Sequence, residues 1–194
     1  MKAALFSVLL TFAGTLNGLA DIEAYMRIVG QTAFAEEGVP EELASQGFFP
    51  LGSVEIGVEN TVSIGSTSGG GGAGRAKFKA LKIRKRPGRV STDLFKKLVL
   101  GAHYDEVEIV LVRGGVAPGA TPARVMTFGL KLVMAQSLDY NVADGAAAPD
   151  EALVLQFGAI RMRNYAYNPE TGESTPAGEE VWSQVLNNAS FNVQ

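Results

Sequence analysis

From Ile22 to Val29 the chain alternates. Ile22, Ala24, Met26 and Ile28 fall on one side, Glu23, Tyr25, Arg27 and Val29 on the other. A two-residue period predicts a half-buried strand. Residues 31–47 are acidic with Pro40 among them, and predict a loop with one helical turn at most. Val54, Ile56 and Val58 alternate with Glu55 and Glu59 as a second strand. A glycine-rich stretch from Ser66 to Gly74 leads into a basic strand from Ala76 to Lys85. Within that strand Lys77 and Lys79 lie opposite Phe78 and Ala80, but Leu81 and Ile83 then take the lysines' side. A slip of this kind is what a β-bulge produces.

At RVSTDLFKKLVLGAH the period changes. Ser91 or Thr92 is placed to cap a helix, and Asp93 sits in the first turn, where negative charge is favoured. Leu94, Phe95, Leu98 and Val99 form one apolar face with Lys96 and Lys97 off it, and Gly101 stops the helix. Strands resume at Val107–Arg113, Val125–Leu138 and Glu151–Tyr167, separated by turn-rich GGVAPGATPA and NVADGAAAPD. From Glu173 onward, past the only tryptophan, Trp182, the chain thins into a polar tail. Many strands with one short helix, about 91–101, define a mainly β barrel or sandwich flanked by a helix.

The first twenty residues follow another logic. Lys2 precedes an apolar run from Ala3 to Leu10, Gly18 and Ala20 occupy the small-residue positions, and no acidic residue appears before Asp21. That is the three-part pattern of a secretory signal, with residues 1–20 as leader. Its removal takes away Lys2 and leaves 16 basic and 20 acidic residues, a net charge of −4. The mature chain carries no membrane span, and the small negative charge gives no overall attraction to nucleic acid.

Composition narrows the chemistry further. With no cysteine there are no disulfides, thiolate metal sites or cysteine nucleophiles, and one histidine, His103, cannot build a histidine-rich metal site. The glycine run is not a phosphate-binding P-loop: Gly74 is followed by Arg75 and Ala76, and a strand follows instead of a helix. Carboxylate pairs at Glu36/Glu37, Glu41/Glu42 and Glu179/Glu180 sit in loop or tail segments, not in the buried setting a general acid needs. Asp105, Glu106 and Glu108 lack the alternating ligand loop of an EF-hand. Ser53, Ser63 and Ser91 belong to no nucleophile elbow. The sequence therefore predicts no catalytic, cofactor or metal site. Ten of the seventeen Lys and Arg residues lie between Arg75 and Lys97. They read as a solvated strand face, as a surface for an acidic protein or another subunit, or, least well for lack of interleaved aromatics, as a nucleic-acid grip.

Four segments in order resemble the haemolysin-coregulated protein (Hcp) family, the tube proteins of type VI secretion. They are YMRIVG at Tyr25–Gly30, SVEIG with Ser53 and Gly57, FKALKIRKRPGRVSTDLFKKLVLGAH, and EALVLQFGAI. In the third, Phe78, Leu81, Ile83, Lys85, Ser91, Leu94, Phe95, Gly101 and His103 are in register with the family; in the fourth, Glu151, Leu155, Phe157 and Ile160 keep its spacing. Departures include Gly88 for an Asp before the helix, Thr92 for a Pro, and Asn164 for a Tyr. The resemblance covers about residues 22–173 and implies an Hcp-like domain over 21–173 with a tail at 174–194.

It also implies a non-enzymatic subunit that forms homohexameric rings, stacks them into a tube and carries effector cargo. Ser68, Gly70, Gly72, Arg75, Lys77, Lys79, Arg84 and Arg86 become the candidate subunit or ring-stacking contacts. Family members are loaded from the cytoplasm without a cleaved leader, so the leader pulls the other way. Cleavage implies a secreted or periplasmic relative that binds polysaccharide, an envelope component or an acidic protein. Without cleavage the chain is cytoplasmic and exported by type VI secretion.

Overall fold

The computed structural model describes residues 21–34, 36, 38–63, 72–114 and 121–194, with backbone alone at 61–63 and 72–75. The leader predicted at 1–20 lies outside the described residues. Eleven strands and two helices follow in order: β1 (Ile22–Ile28), α1 (Glu41–Ala44), β2 (Phe49–Leu51), β3 (Ser53–Glu55), β4 (Val58–Ser63), β5 (Gly72–Phe78), β6 (Leu81–Lys85), α2 (Ser91–Leu100), β7 (His103–Arg113), β8 (Arg124–Asn141), β9 (Asp150–Gln156), β10 (Ala159–Tyr167) and β11 (Ser174–Ser183). The mainly β class with one flanking helix of any length is as the sequence predicts, and α1 is the single helical turn of the acidic loop. No described helix is long and apolar enough to cross a membrane.

The main sheet runs β2-β1-β7-β8-β9-β6-β3, all antiparallel, with β10 on β8 and β11 on β10. β8 is the spine. Its first half pairs β7 on one edge and β10 on the other, and its second half pairs β9. The run Glu151–Tyr167 predicted as one strand keeps a single register along β8 across its break, from Gln156↔Met134 to Ala159↔Lys131. The break at Phe157–Gly158 lies beside Leu132, whose backbone turns left-handed at φ 50°. A Cβ on Gly158 would lie 3.2 Å from the Leu132 Cβ and 3.1 Å from two valine methyls, so only glycine passes there without displacing its neighbours.

Alternating residues build the core: Met26 and Ile28 from β1, Leu81 and Ile83 from β6, Val107 and Ile109 from β7, Leu153 and Leu155 from β9. A second cluster, Tyr25, Leu43, Phe48, Val110 and Val112, lies where α1 and its loop cover the other face of β1 and β7. Tyr25 is therefore buried although the alternation set it on the polar side.

Residues 174–183, read from sequence as polar tail, form β11 along β10. Pro176 is tolerated because, among the described residues, β11 pairs only with β10 and its other edge carries no ladder.

α2 ends as predicted at Gly101, which turns left-handed at φ 61° and donates its N–H to the Leu98 carbonyl. Its start differs from expectation. The N-cap is Val90, without a side-chain cap, and Ser91 is buried in other contacts. The apolar face is only partly used: Leu94 is buried, whereas Phe95 and Val99 are 54% and 63% exposed.

Candidate assembly surface

The basic run spans two sheets. β4 and β5 pair only with each other, while β3 and β6 belong to the main sheet. The two arms continue as one long hairpin with an irregular joint. From Glu55 to Val58 one arm takes three steps, and from Phe78 to Lys82 the other takes four. That extra residue is the slip read from the sequence, and it turns Phe78 toward Phe157 (6.0 Å between centroids, edge to face) while Leu81, Ile83 and Lys85 turn inward.

Of the candidate contact residues, Ser68 and Gly70 lie outside the described residues, and Gly72 and Arg75 are placed by backbone in β5. Lys77 and Lys79 are well exposed and reach Glu59 on β4 at 3.9 and 3.7 Å. Lys82 meets Glu55 at 3.2 Å, Arg84 meets Asp150 at 2.7 Å, and Arg86 is exposed. Exposed pairs of this kind contribute about 0–1 kcal/mol each. Their larger effect is that four exposed cations of the run have a carboxylate within 4 Å, so the field of the basic stretch is locally compensated.

Lys85 is different. The alternation of β6 carries it to the buried side, where its ammonium lies 2.7 Å from the Glu151 carboxylate. It also donates to Ser91 Oγ at 2.9 Å and to the Arg86 carbonyl at 2.8 Å, so its three donors are used. Ser91 Oγ accepts a further bond from the Gly88 N–H and donates to Glu151 Oε2 at 2.8 Å. This network ties β6, the start of α2 and β9 together. Tyr140, cross-strand from Glu151, has its hydroxyl pKa raised by burial and then by that carboxylate.

His103 Nε2 stands 3.3 Å from Asp105 at a half-exposed position. Among the described residues no three His, Asp or Glu side chains are arranged around a common metal position.

Between the β4–β5 hairpin and the β8–β10–β11 layer opens an apolar groove of ≈ 570 Å³. Val58 and Phe78 form one wall, Met126 and Phe128 the floor, Met162 and Trp182 the other wall, with Glu180 at its rim. The sequence reading missed this groove. Trp182 was the one available signal, because a large aromatic in a segment taken as tail requires a packing partner.

This helix-flanked, mainly β fold aligns with solved structures of type VI secretion proteins. A structure of a type six secretion system protein shares 16% sequence identity, aligns at a TM-score of 0.74, and matches 88% of this chain and 100% of that one. Hcp1 from Salmonella typhimurium aligns at 0.64 with 14% identity, over 88% of this chain and 99% of its own. Hcp2 from the same organism aligns at 0.55 with 13% identity, over 86% and 98%. No curated protein sequence matches the chain. The family model described as "Type VI secretion system effector, Hcp" matches residues 25–164, and the chain belongs to that family. Hcp proteins are structural components of the secretion system that oligomerise into rings.

Proposed function

We propose that the chain is a ring- and tube-forming subunit of a type VI secretion apparatus, acting by self-assembly and effector carriage and not by catalysis. The family match over residues 25–164 carries this reading. The hairpin gives it physical support: an arm that leaves the main sheet and pairs only with itself gains its remaining contacts from a neighbour. Homohexameric rings that stack through the hairpin region, with effectors held in the lumen, are the assembly proposed.

The test is negative-stain electron microscopy of the chain from Asp21 onward across a concentration series. Rings or stacked tubes are expected. Uniform monomers at every concentration would overturn the proposal.

A further inference from the structure

Two apolar features of the described surface bear on assembly. One is a ridge on α2, where Phe95, Val99 and Leu100 are 54%, 63% and 66% exposed. The other is the groove, whose wall residues Val58 and Met162 are 58% and 37% exposed beside Trp182. Contiguous apolar surface of this kind marks an interaction site. Ridge and groove cannot meet within one copy. The Asp93 carboxylate of α2 is held by Tyr104, which pairs Val133 on β8, whereas the groove floor is Met126 and Phe128. Five to seven residues of strand separate them, roughly 20 Å at about 3.3 Å per residue.

The charges at the two edges are opposite. Lys96 stands exposed on the ridge, Glu180 stands exposed at the groove rim, and neither has an ion-pair partner among the described residues.

We infer that the α2 ridge of one copy seats in the β4–β5/β10–β11 groove of the next, with Lys96 meeting Glu180. Two different patches on each copy make a head-to-tail contact, and repetition of such a contact gives a ring when its rotation closes. Met162, Trp182 and Phe78 surround the entering Phe95 and Val99 as a desolvated centre, with the ion pair at the rim. The inference rests on the ring assembly proposed above and assigns its lateral contact.

Val99→Asp and Val58→Asp test it, because both side chains are exposed and each change falls on one partner surface only. Each variant alone is expected to need at least about a tenfold higher concentration to assemble. Mixed, they retain one intact ridge and one intact groove between them. The mixture is expected to give discrete heterodimers in analytical ultracentrifugation, with a shift in Trp182 emission. Lys96→Glu is expected to weaken rings, and Lys96→Glu with Glu180→Lys to restore them.

Wild-type rings that persist in either aspartate variant overturn the contact and leave the ring reading intact. A mixture that stays monomeric, or a charge-reversed pair that fails to recover, overturns the pairing of these two surfaces. A wild-type chain that never assembles overturns the ring reading and the contact with it.

Discussion

Lys85 and Glu151, 66 residues apart in the chain, meet at 2.7 Å with 1% and 0% of their side chains exposed. Removing two charges from water costs several kcal/mol each, which only a fully bonded geometry repays. Here Ser91 and the Arg86 carbonyl complete the bonding of the ammonium, and Ser91 also donates to Glu151 Oε2, whereas Glu151 Oε1 has no hydrogen-bond partner among the described residues.

A single replacement at this pair leaves a buried charge alone. Lys85→Met is expected to lower stability by about 3–5 kcal/mol, and Ser91→Ala by about 1–3 kcal/mol. Lys85→Met combined with Glu151→Leu should be markedly more stable than Lys85→Met alone, because no charge is then stranded. Urea denaturation of the parent, Lys85→Met, Glu151→Leu and the double variant decides this. A double variant as unstable as the sum of its singles would show that the pair is not the unit of stability.

How far the sequence foretold this site depends on the residue. The sequence reading counted Lys85 with the basic run and did not place it inside; the period of two through Leu81 and Ile83 is what carries it to the buried side, where the strand pattern outweighs the charge. Glu151 shared in the family spacing but carried no local mark of a partner so distant. The slip between Phe78 and Lys82 was legible because side chains on the two sides of a joint report its parity. The break at Phe157–Gly158 was not, because its cause is the backbone of Leu132 on another strand. Phe95 and Val99 were legible as part of one apolar helical face, but not as exposed. Helical periodicity identifies an apolar face without saying whether it turns to the protein's own interior or to a neighbour.

Two buried tyrosines give the protein an alkaline limit. Burial, then the hydrogen bond to Asp93 and its charge, pushes the Tyr104 hydroxyl far above its ordinary pKa of 10.0. Burial, then the hydrogen bond and charge of Glu23, does the same to Tyr25. The unfolded chain releases these protons near pH 10 while the folded chain keeps them, so alkali favours unfolding. The stability they support is complete below about pH 10 and falls above it by at most about 1.4 kcal/mol per pH unit for each group. Tyr165 acts in the opposite sense: burial raises it, but hydrogen bonds with Arg163, Thr127 and Arg124 bring its net value down. Urea midpoints from pH 8 to 11 should show a shallower alkaline decline in Tyr104→Phe than in the parent. An unchanged slope would remove Tyr104 from the account.

Gly47 and Gly101 both have left-handed backbones, yet they should respond differently to alanine. At Gly101, φ is 61° and a Cβ would meet nothing within 4 Å, so the cost is conformational alone, about 1–2 kcal/mol. At Gly47, φ is 84° and a Cβ would stand 2.4 Å from the Gln31 carbonyl oxygen, a contact that backbone must move to relieve. Gly47→Ala is therefore expected to exceed the cost of Gly101→Ala by at least about 1 kcal/mol. Thermal or urea unfolding of the two variants measures the difference, and equal losses would count against the tight approach of Gln31.

The glycine-rich stretch that opens the basic run separates the two levels of the proposed assembly. Lateral contacts draw on α2 and on the groove at the base of the hairpin, whereas stacking is assigned to Ser66–Arg75. Shortening Ser66–Arg75 should therefore abolish tubes while leaving rings intact, since Val58, Phe78 and Trp182 stay in place. Sedimentation together with negative-stain images distinguishes the three outcomes. Rings without tubes match the division of labour; tubes of ordinary length exclude the stretch from stacking; and loss of rings as well would mean that it also supports the groove wall, so that lateral and axial contacts share one element.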